Sequence, residues 1–509
     1  MDRWQTFPIQ FAGGLVTNMA PLQQGLSAPG TATVLRNFEP STEGGYRRIE
    51  GFTKWDDAQV TGSEALVRGV CEHRLLAVAA VGDGLYRSSG NGWTEITDNA
   101  TFSSSGINLA GSAKVRFAKH HFDGDKTLIV LDGAGKPFKF DGTTFSQITT
   151  APAETAGASH AFAHKNHLFV AKDATLTFSA PFSDTDWTPA SGAGTIEFDN
   201  EITGLITFRD QLVIFTKRSI SILAGSSIAD FQIQPVTKDI GAVQHDTVQE
   251  FGGDVMFMGP DGLRLLSATD RIGDFGLGVV SKVIQPEFTS FTSASATYSS
   301  VAIRNKSQYR IFGYNSAYEN SAGRGVLATQ YAQQGGDNMA FSELRGINAF
   351  VSWSEYVESE EVILFANADG YVYQMENGNS FDGTDIVATF STPHMPITDP
   401  TTRKTLFKGS LYVDPQGSFS VSITPRYDFG HEGVVQPGVV ELSNSSTSVQ
   451  YYGSGTYGTS TFGGNLRYVL DTQFTGSGKT VQFQFESESS DPPFSLDSLV
   501  IQYGQYGRR

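Results

Sequence analysis

The stretch ITGLITFRDQLVIFTKRSISIL, residues 202–223, decides how the chain is read. Ile202, Leu205 and Ile206 lead into a polar turn at Arg209, Asp210 and Gln211. Leu212, Ile214, Ile220 and Ile222 then alternate across a second, basic turn at Lys217 and Arg218. Branched apolar residues at every second position line one face of a strand, and polar residues take the tight connections. The stretch therefore reads as two short strands and the start of a third, half-buried and unable to cover its own apolar face without neighbours of the same kind.

Degenerate copies lie on both sides. Residues 67–97 and 115–149 each carry strand, turn and strand followed by a Gly-rich turn and a third short strand, and residues 160–189, 248–267, 296–315 and 347–375 repeat the pattern. The third strands (GLYR, PFKF, LTFS, ISIL, LRLL, VLAT, YVYQ) recur every roughly 40 to 60 residues, the spacing of propeller blades. The expected fold is all-β: a degenerate β-propeller of six or seven blades over residues 59–384, with stacked β-sandwiches as the alternative architecture.

Composition agrees with many packed strands. The 509 residues include 55 Gly and 37 Phe, 39% are hydrophobic, and helical periodicity is nearly absent. The net charge of −17 argues against a protein that grips nucleic acid, which needs clustered Lys and Arg to neutralise phosphates. It is compatible with a wall past which DNA slides, and equally with simple solubility. Cys71 is the single cysteine, so no intrachain disulfide framework is expected. The N-terminus has no signal-peptide pattern and no apolar run is long enough to span a membrane, so the chain is expected to be made in a reducing cytoplasm without stable membrane insertion.

Two further regions flank the repeats. Residues 1–58 are rich in Gly, Pro and polar side chains and read as an N-terminal arm or platform segment, with paired glycines ahead of Tyr46, Arg47 and Arg48. Residues 385–509 hold longer alternating strands and read as a C-terminal antiparallel sandwich, interrupted by a Gly/Tyr-rich segment at 451–464.

Few constellations suggest chemistry. His120, His121, Asp123 and Asp125 form the densest ligand-like cluster, but it lacks the oxygens of a calcium loop and reads as a polar hairpin tip. Glu355, Glu358, Glu360 and Glu361 make the sharpest acidic run, in an expected hairpin; such a run is more often a solvated edge than a catalytic pair. SDTDW (183–187) resembles the Asp-containing turns of sialidase propellers but lacks the Gly two residues after the Asp, so it reads as a turn that seats Trp187. No phosphate-cradling loop, nucleophile elbow or metalloprotease helix is present, and neither catalysis nor a cofactor is expected.

Several motifs appear together in order: Gly13-Gly14-Leu15, Asn18, Pro21, Asn37, Gly44-Gly45-Tyr46-Arg47-Arg48, SDTDW, then residues 202–223 followed by KDIGAVQHDTVQEFGGDVMFMGPDGLRLLS (238–267). This combination resembles the tail hub or nozzle proteins of short-tailed phages, the packaged-DNA stabilisation and tail tubular protein B-like family. The resemblance implies a non-enzymatic virion protein that forms a hexameric ring below an adaptor or connector protein. Such a ring continues the DNA channel, retains the packaged genome and passes it at ejection without tight or sequence-specific binding, with tail-fibre or needle proteins as further partners. On this basis Tyr46, Arg47 and Arg48 are candidate ring contacts, and Glu355, Glu358, Glu360 and Glu361, together with the 451–464 segment, are candidates to rim the lumen. The competing expectation is a carbohydrate-binding or glycoside-hydrolysing propeller with Asp184 and Asp186 as its carboxylates, and a third is a scaffold that binds a protein through its loops.

Overall fold

Arg209 and Asp210 both take positive φ, 47° and 65°, and this two-residue turn joins strands Ile202–Phe208 and Gln211–Thr216. Such a mirror-image turn matches the right-handed twist of the strands it connects. Ile220–Ala224 and Gln232–Thr237 complete a four-stranded antiparallel sheet. The computed structural model describes residues 4–97, 109, 113–122, 124–267, 278–295, 297–316, 322–333, 336–444, 449–450, 461–462 and 468–506.

Among the described residues, six small antiparallel sheets are arranged around an axis. They comprise residues 67–95 (blade 1), 116–147 (blade 2), 160–197 (blade 3), 202–237 (blade 4), 249–265 (blade 5, three strands) and 351–375 (blade 6). Between blades 5 and 6, the first four strands of a nine-stranded sheet, residues 297–345, fill the remaining sector. The first strand of each unit lies innermost, and the contact of Val351–Val357 with Val67–His73 closes the ring.

Each sheet is covered on both faces. Leu205, Leu212, Ile214 and Leu223 pack towards blade 3, whereas Val213, Phe215 and Ile220 pack towards blade 5. The sequence expectation of a half-buried unit is corrected here: Leu212, Val213, Ile214 and Phe215 are all buried, because a blade has a neighbour on each side. Consecutive apolar residues are the mark of a strand covered on both faces.

The two chain ends are not separate appendages. Gln5–Gln10 pairs with Phe494–Tyr506, and the hairpin Phe38–Pro40/Tyr46–Arg48 joins the same seven-stranded sheet. Val34–Arg36 inserts into the nine-stranded sheet between Gly336–Arg345 and Ile386–Ser391. The two sheets face each other across a core in which the Phe390 ring meets Phe11 at 4.9 Å and Tyr46 at 4.8 Å. Phe52–Lys54 then becomes the fourth strand of blade 6. The residues read as an N-terminal arm thus supply strands to the sandwich, to the shared sheet and to the propeller.

Two glycines of the opening motif owe their place to close packing. Gly14 has φ +69°, and a Cβ there would sit 2.8 Å from the Phe341 backbone; Gly45 has φ +78°, and its Cβ would lie 2.6 Å from the Leu496 carbonyl. Only glycine meets both demands at little cost.

The inter-blade core predicts a large truncation cost. Phe215 is fully buried between blades 4 and 5, so Phe215→Ala should destabilise the protein by about 3–5 kcal/mol in denaturant unfolding. A loss below about 1 kcal/mol would mean that the two blades do not pack as described.

Candidate functional site

Where the inner strands begin, charged groups converge on the axis. Asp246, in the short helix His245–Thr247 ahead of blade 5, receives the Arg116 Nε at 2.8 Å and Nη2 at 3.0 Å, and the Lys114 Nζ at 3.0 Å. Lys114 also donates to the Tyr298 carbonyl at 2.9 Å, and the Ser300 hydroxyl donates to the Asp246 carbonyl at 2.8 Å. Burial alone would raise the Asp246 carboxyl, but Arg116 and Lys114 outweigh it and hold the group well below the usual range. Burial pushes the Lys114 ammonium down, partly offset by Asp246. The axial space beside this cluster is about 150 Å³. It has room for a few waters, and the ion pairs tie blade 2 to the start of blade 5 and to the shared sheet.

Where the inner strands end, a second set forms. Lys119 of blade 2 bridges Glu72 of blade 1 at 3.0 Å and Glu355 of blade 6 at 2.7 Å, and its ammonium lies 4.8 Å from the Trp353 ring centre. The acidic run of the sequence is therefore divided. Glu355 is ion-paired, and Glu361 accepts the backbone N–H groups of Arg304 at 2.8 Å and Asn305 at 3.1 Å. Glu358, with φ 56° in the turn, and Glu360 are exposed. Glu355 is exposed as well, with 49% of its side chain open to solvent, so of the four expected rim carboxylates Glu361 alone is turned inward. The 451–464 segment lies outside the described residues apart from Thr461–Phe462, and the same holds for Asp123.

The residues expected to meet a neighbouring subunit face inward, which corrects that expectation. The buried Tyr46 hydroxyl donates to the carbonyls of Ala12 and Gly30, both at 2.9 Å, and accepts the Gly14 N–H at 3.1 Å. The buried Arg48 guanidinium donates to the backbone carbonyls of Ser489, at 2.6 Å, and Asp491. Arg47 pairs with Glu39 at 3.0 Å and Glu50 at 2.5 Å. Strand pairing of the Tyr46–Arg48 segment with Leu496 and Ser495 draws these side chains into the joint instead of leaving them on a solvated arm.

Arg47 belongs to a larger clasp. Glu39 also receives Lys306 at 3.0 Å, Arg310 at 3.0 Å and the Gln308 amide at 3.0 Å, while Glu376 receives Arg310 at 2.7 Å and Lys306. Three carboxylates and three cations from the N-terminal strands, the shared sheet and blade 6 neutralise one another. Burial opposes ionisation of Glu39 and Glu376, yet Lys306 and Arg310 hold both carboxyls low. Glu50 is pushed up, by burial and by Glu376.

The other sequence candidates are structural in placement. Asp184 is buried and accepts Lys139 Nζ at 3.1 Å, with the His120 Nε2 at 3.4 Å. The exposed Asp186 accepts the Thr188 N–H at 2.9 Å, and Trp187 donates its indole N–H to the Asp184 carbonyl at 3.1 Å. SDTDW thus joins blade 3 to blade 2, reaching both the end of its inner strand at His120 and its third strand at Lys139. Among the described residues no group of three or more His, Cys, Asp and Glu is placed to hold a metal ion. Burial raises the Cys71 thiol far above its ordinary value, which disfavours the reactive thiolate.

Sequence reasoning missed the Lys114–Arg116–Asp246 cluster and the clasp. One signal for the axial cluster was present: Val67-Arg68 and Val115-Arg116 open blades 1 and 2 in the same way, and His73, His120 and His164 close the inner strands of blades 1 to 3. No comparable pattern marks Glu39, Lys306 or Glu376, which are brought together from distant parts of the chain.

Compared with known protein families and with curated proteins, the chain matches none. Solved structures that resemble it include the computationally designed protein Ika8 (8% identity, TM-score 0.31, covering 63% of this chain and 99% of that one). An ancestral GH74 enzyme (11%, 0.40, 65% and 49%) and PorZ, a surface component of the type-IX secretion system of Porphyromonas gingivalis (10%, 0.37, 79% and 58%), also resemble it. The chain spans less than two thirds of the length of the last two.

Two outcomes follow from these charges. Glu376→Gln leaves Arg310 and Lys306 under-compensated in a buried setting and should cost about 3–5 kcal/mol in denaturant unfolding; a cost under about 1 kcal/mol would show that the clasp is solvated. Burial also lowers His73, His164, His245 and His394 to about 4, below the ordinary value of 6.5. Between these values the unfolded chain takes up protons that the folded chain refuses, so stability is greatest above pH 6.5 and falls as pH drops towards 4. The Tm measured from pH 7 to 4.5 should fall, and His73→Phe with His164→Phe should flatten the slope; an unchanged slope would contradict burial of these neutral rings.

Proposed function

We propose that the chain is a non-enzymatic virion component, a hub or nozzle subunit of a short-tailed phage tail, which assembles as a ring below a connector protein and lets DNA pass. The observation that carries this reading is the joining of both chain ends into one sandwich welded to a propeller through a single nine-stranded sheet. A subunit that must transmit load between a ring above and a body below needs such a rigid platform, and this arrangement is what the sequence resemblance implies for chain-terminal regions.

The axis of the propeller is too narrow for DNA, since its cavity of about 150 Å³ is crossed by the Lys114–Asp246–Arg116 ion pairs. In this reading the channel lies between subunits, not through one. The net charge of −17 suits a lumen that repels phosphate and lets DNA slide. Exposed Glu355, Glu358 and Glu360 are the members of the acidic run available to rim it. A glycoside-hydrolysing propeller calls for a pair of free carboxylates, whereas Asp246, Glu72 and Glu355, at the two ends of the inner strands, are all held by Lys or Arg.

Light scattering of the purified protein, alone and mixed with its connector ring, tests the proposal. The expected result is a closed ring of about six subunits, stable or connector-induced. A chain that stays monomeric in both conditions, or a ring with a basic lumen, contradicts it.

A further inference from the structure

The chain carries two Asn-Gly pairs, Asn91-Gly92 and Asn377-Gly378, and the fold treats them differently. An asparagine followed by glycine is open to attack on its side-chain carbonyl by the next backbone nitrogen. Glycine has no Cβ to stand in the way, and the attacking group is already tethered beside its target. The nitrogen must still be free to turn towards that carbonyl and to give up its proton. Its hydrogen bonding therefore decides which pair reacts.

Asn91 is exposed in the turn between the third and fourth strands of blade 1, Gly84–Ser88 and Trp93–Glu95. The Gly92 N–H, however, donates to Asp56 Oδ2 at 2.5 Å. Asp56 is buried and is fixed in turn by the Ser88 hydroxyl at 2.6 Å and the Ala58 N–H at 2.9 Å. Attack by the Gly92 nitrogen has to break this bond to an ionised carboxylate, which slows it by about tenfold or more.

Asn377 and Gly378 are both exposed, in the bend that follows Val372–Met375. Gly378 has φ +83°, and its N–H has no hydrogen-bond partner among the described residues. Other atoms hold the bend. The Asn377 N–H donates to the Gly51 carbonyl at 3.3 Å, and the Gly51 N–H donates to the Gly378 carbonyl at 2.8 Å. The Asn377 side-chain amide donates to Thr53 Oγ1 at 3.0 Å and to Gln374 Oε1 at 3.4 Å, both at exposed positions. The pair thus sits where the N-terminal strand Phe52–Lys54 enters blade 6, with the one reactive nitrogen left out of the network.

We propose that Asn377 deamidates spontaneously in the folded protein and that the conversion loosens the joint between the N-terminal strand and blade 6. The Gly378 nitrogen bonds to the Asn377 side-chain carbonyl carbon, the bond from that carbon to the amide nitrogen breaks, and ammonia leaves with the Gly378 proton. Water then opens the cyclic imide at either carbonyl, leaving aspartate or isoaspartate. Both products place a new carboxylate beside Glu376 of the clasp. Isoaspartate also adds a methylene to the backbone between the Asn377 N–H and the Gly378 carbonyl, the two groups that hold Gly51. The site does not depend on the ring reading, because it lies wholly within one chain.

Peptide mapping by mass spectrometry of the full-length protein, incubated native and in denaturant at mildly alkaline pH, tests the assignment. In the native protein Asn377 should convert at least about tenfold faster than Asn91, and in denaturant the two should convert at similar rates, because the bond to Asp56 is gone. The native rate should rise with pH, as loss of the Gly378 proton requires. Conversion of native Asn91 as fast as Asn377 overturns the proposal, as does a native Asn377 that stays intact while the denatured chain converts. Asn377→Gln, whose longer side chain closes the imide far more slowly, is incubated alongside. The Phe52–Lys54 amides of the aged protein should exchange sooner than those of this variant, and equal exchange overturns the loosening of the joint.

Discussion

Glu39 ties the N-terminal hairpin to the shared sheet through buried charge. It sits on a short N-terminal strand, is almost fully buried, and is held by cations from three directions: Arg47 of its own hairpin, and Lys306 and Arg310 of the shared sheet. Removing a carboxylate from water is costly, and the cost is met only where opposite charges and hydrogen bonds surround it. That requirement fixes the position of the N-terminal hairpin against the propeller sector, and through Glu376 against blade 6. An apolar contact would tolerate sliding; a neutralised cluster of three acids and three bases does not.

The weld has a structural counterpart in the backbone. Val34–Arg36 inserts between a propeller strand and a sandwich strand, so one hydrogen-bonded sheet runs from the ring into the platform. The propeller also depends on the arm, because Phe52–Lys54 is the outer strand of blade 6. Blade 6 is thus built from both ends of the propeller's sequence, which closes the ring by strand pairing as well as by packing.

The propeller was legible in the sequence because local pattern controls it. Each blade is a hairpin series with short turns such as Arg74-Leu75, Lys165-Asn166, Arg209-Asp210 and Gly252-Gly253, and residues 202–223 show the alternation plainly. Full burial of Val213 and Phe215 was less visible, since it comes from neighbouring blades and not from the strand itself. The burial of Tyr46 and Arg48 was illegible for the same reason: distant strands at 494–506 cover them. Ion pairs such as Glu39–Arg310, whose partners lie far apart in the chain, leave no periodic trace. The Glu355–Glu361 run shows the converse, as a compact sequence feature that the fold splits between ion pairs, a backbone cap and solvent.

If platform and propeller form one rigid unit, hydrogen exchange measured in increasing denaturant reads that union amide by amide. Amides of Phe38 and Glu39, and those in Gln308–Tyr314 and Val372–Met375, should open in a single cooperative step with the same free energy and the same denaturant dependence. Exchange of Phe38 and Glu39 at a lower free energy, while the other two strands stay protected, would contradict the account.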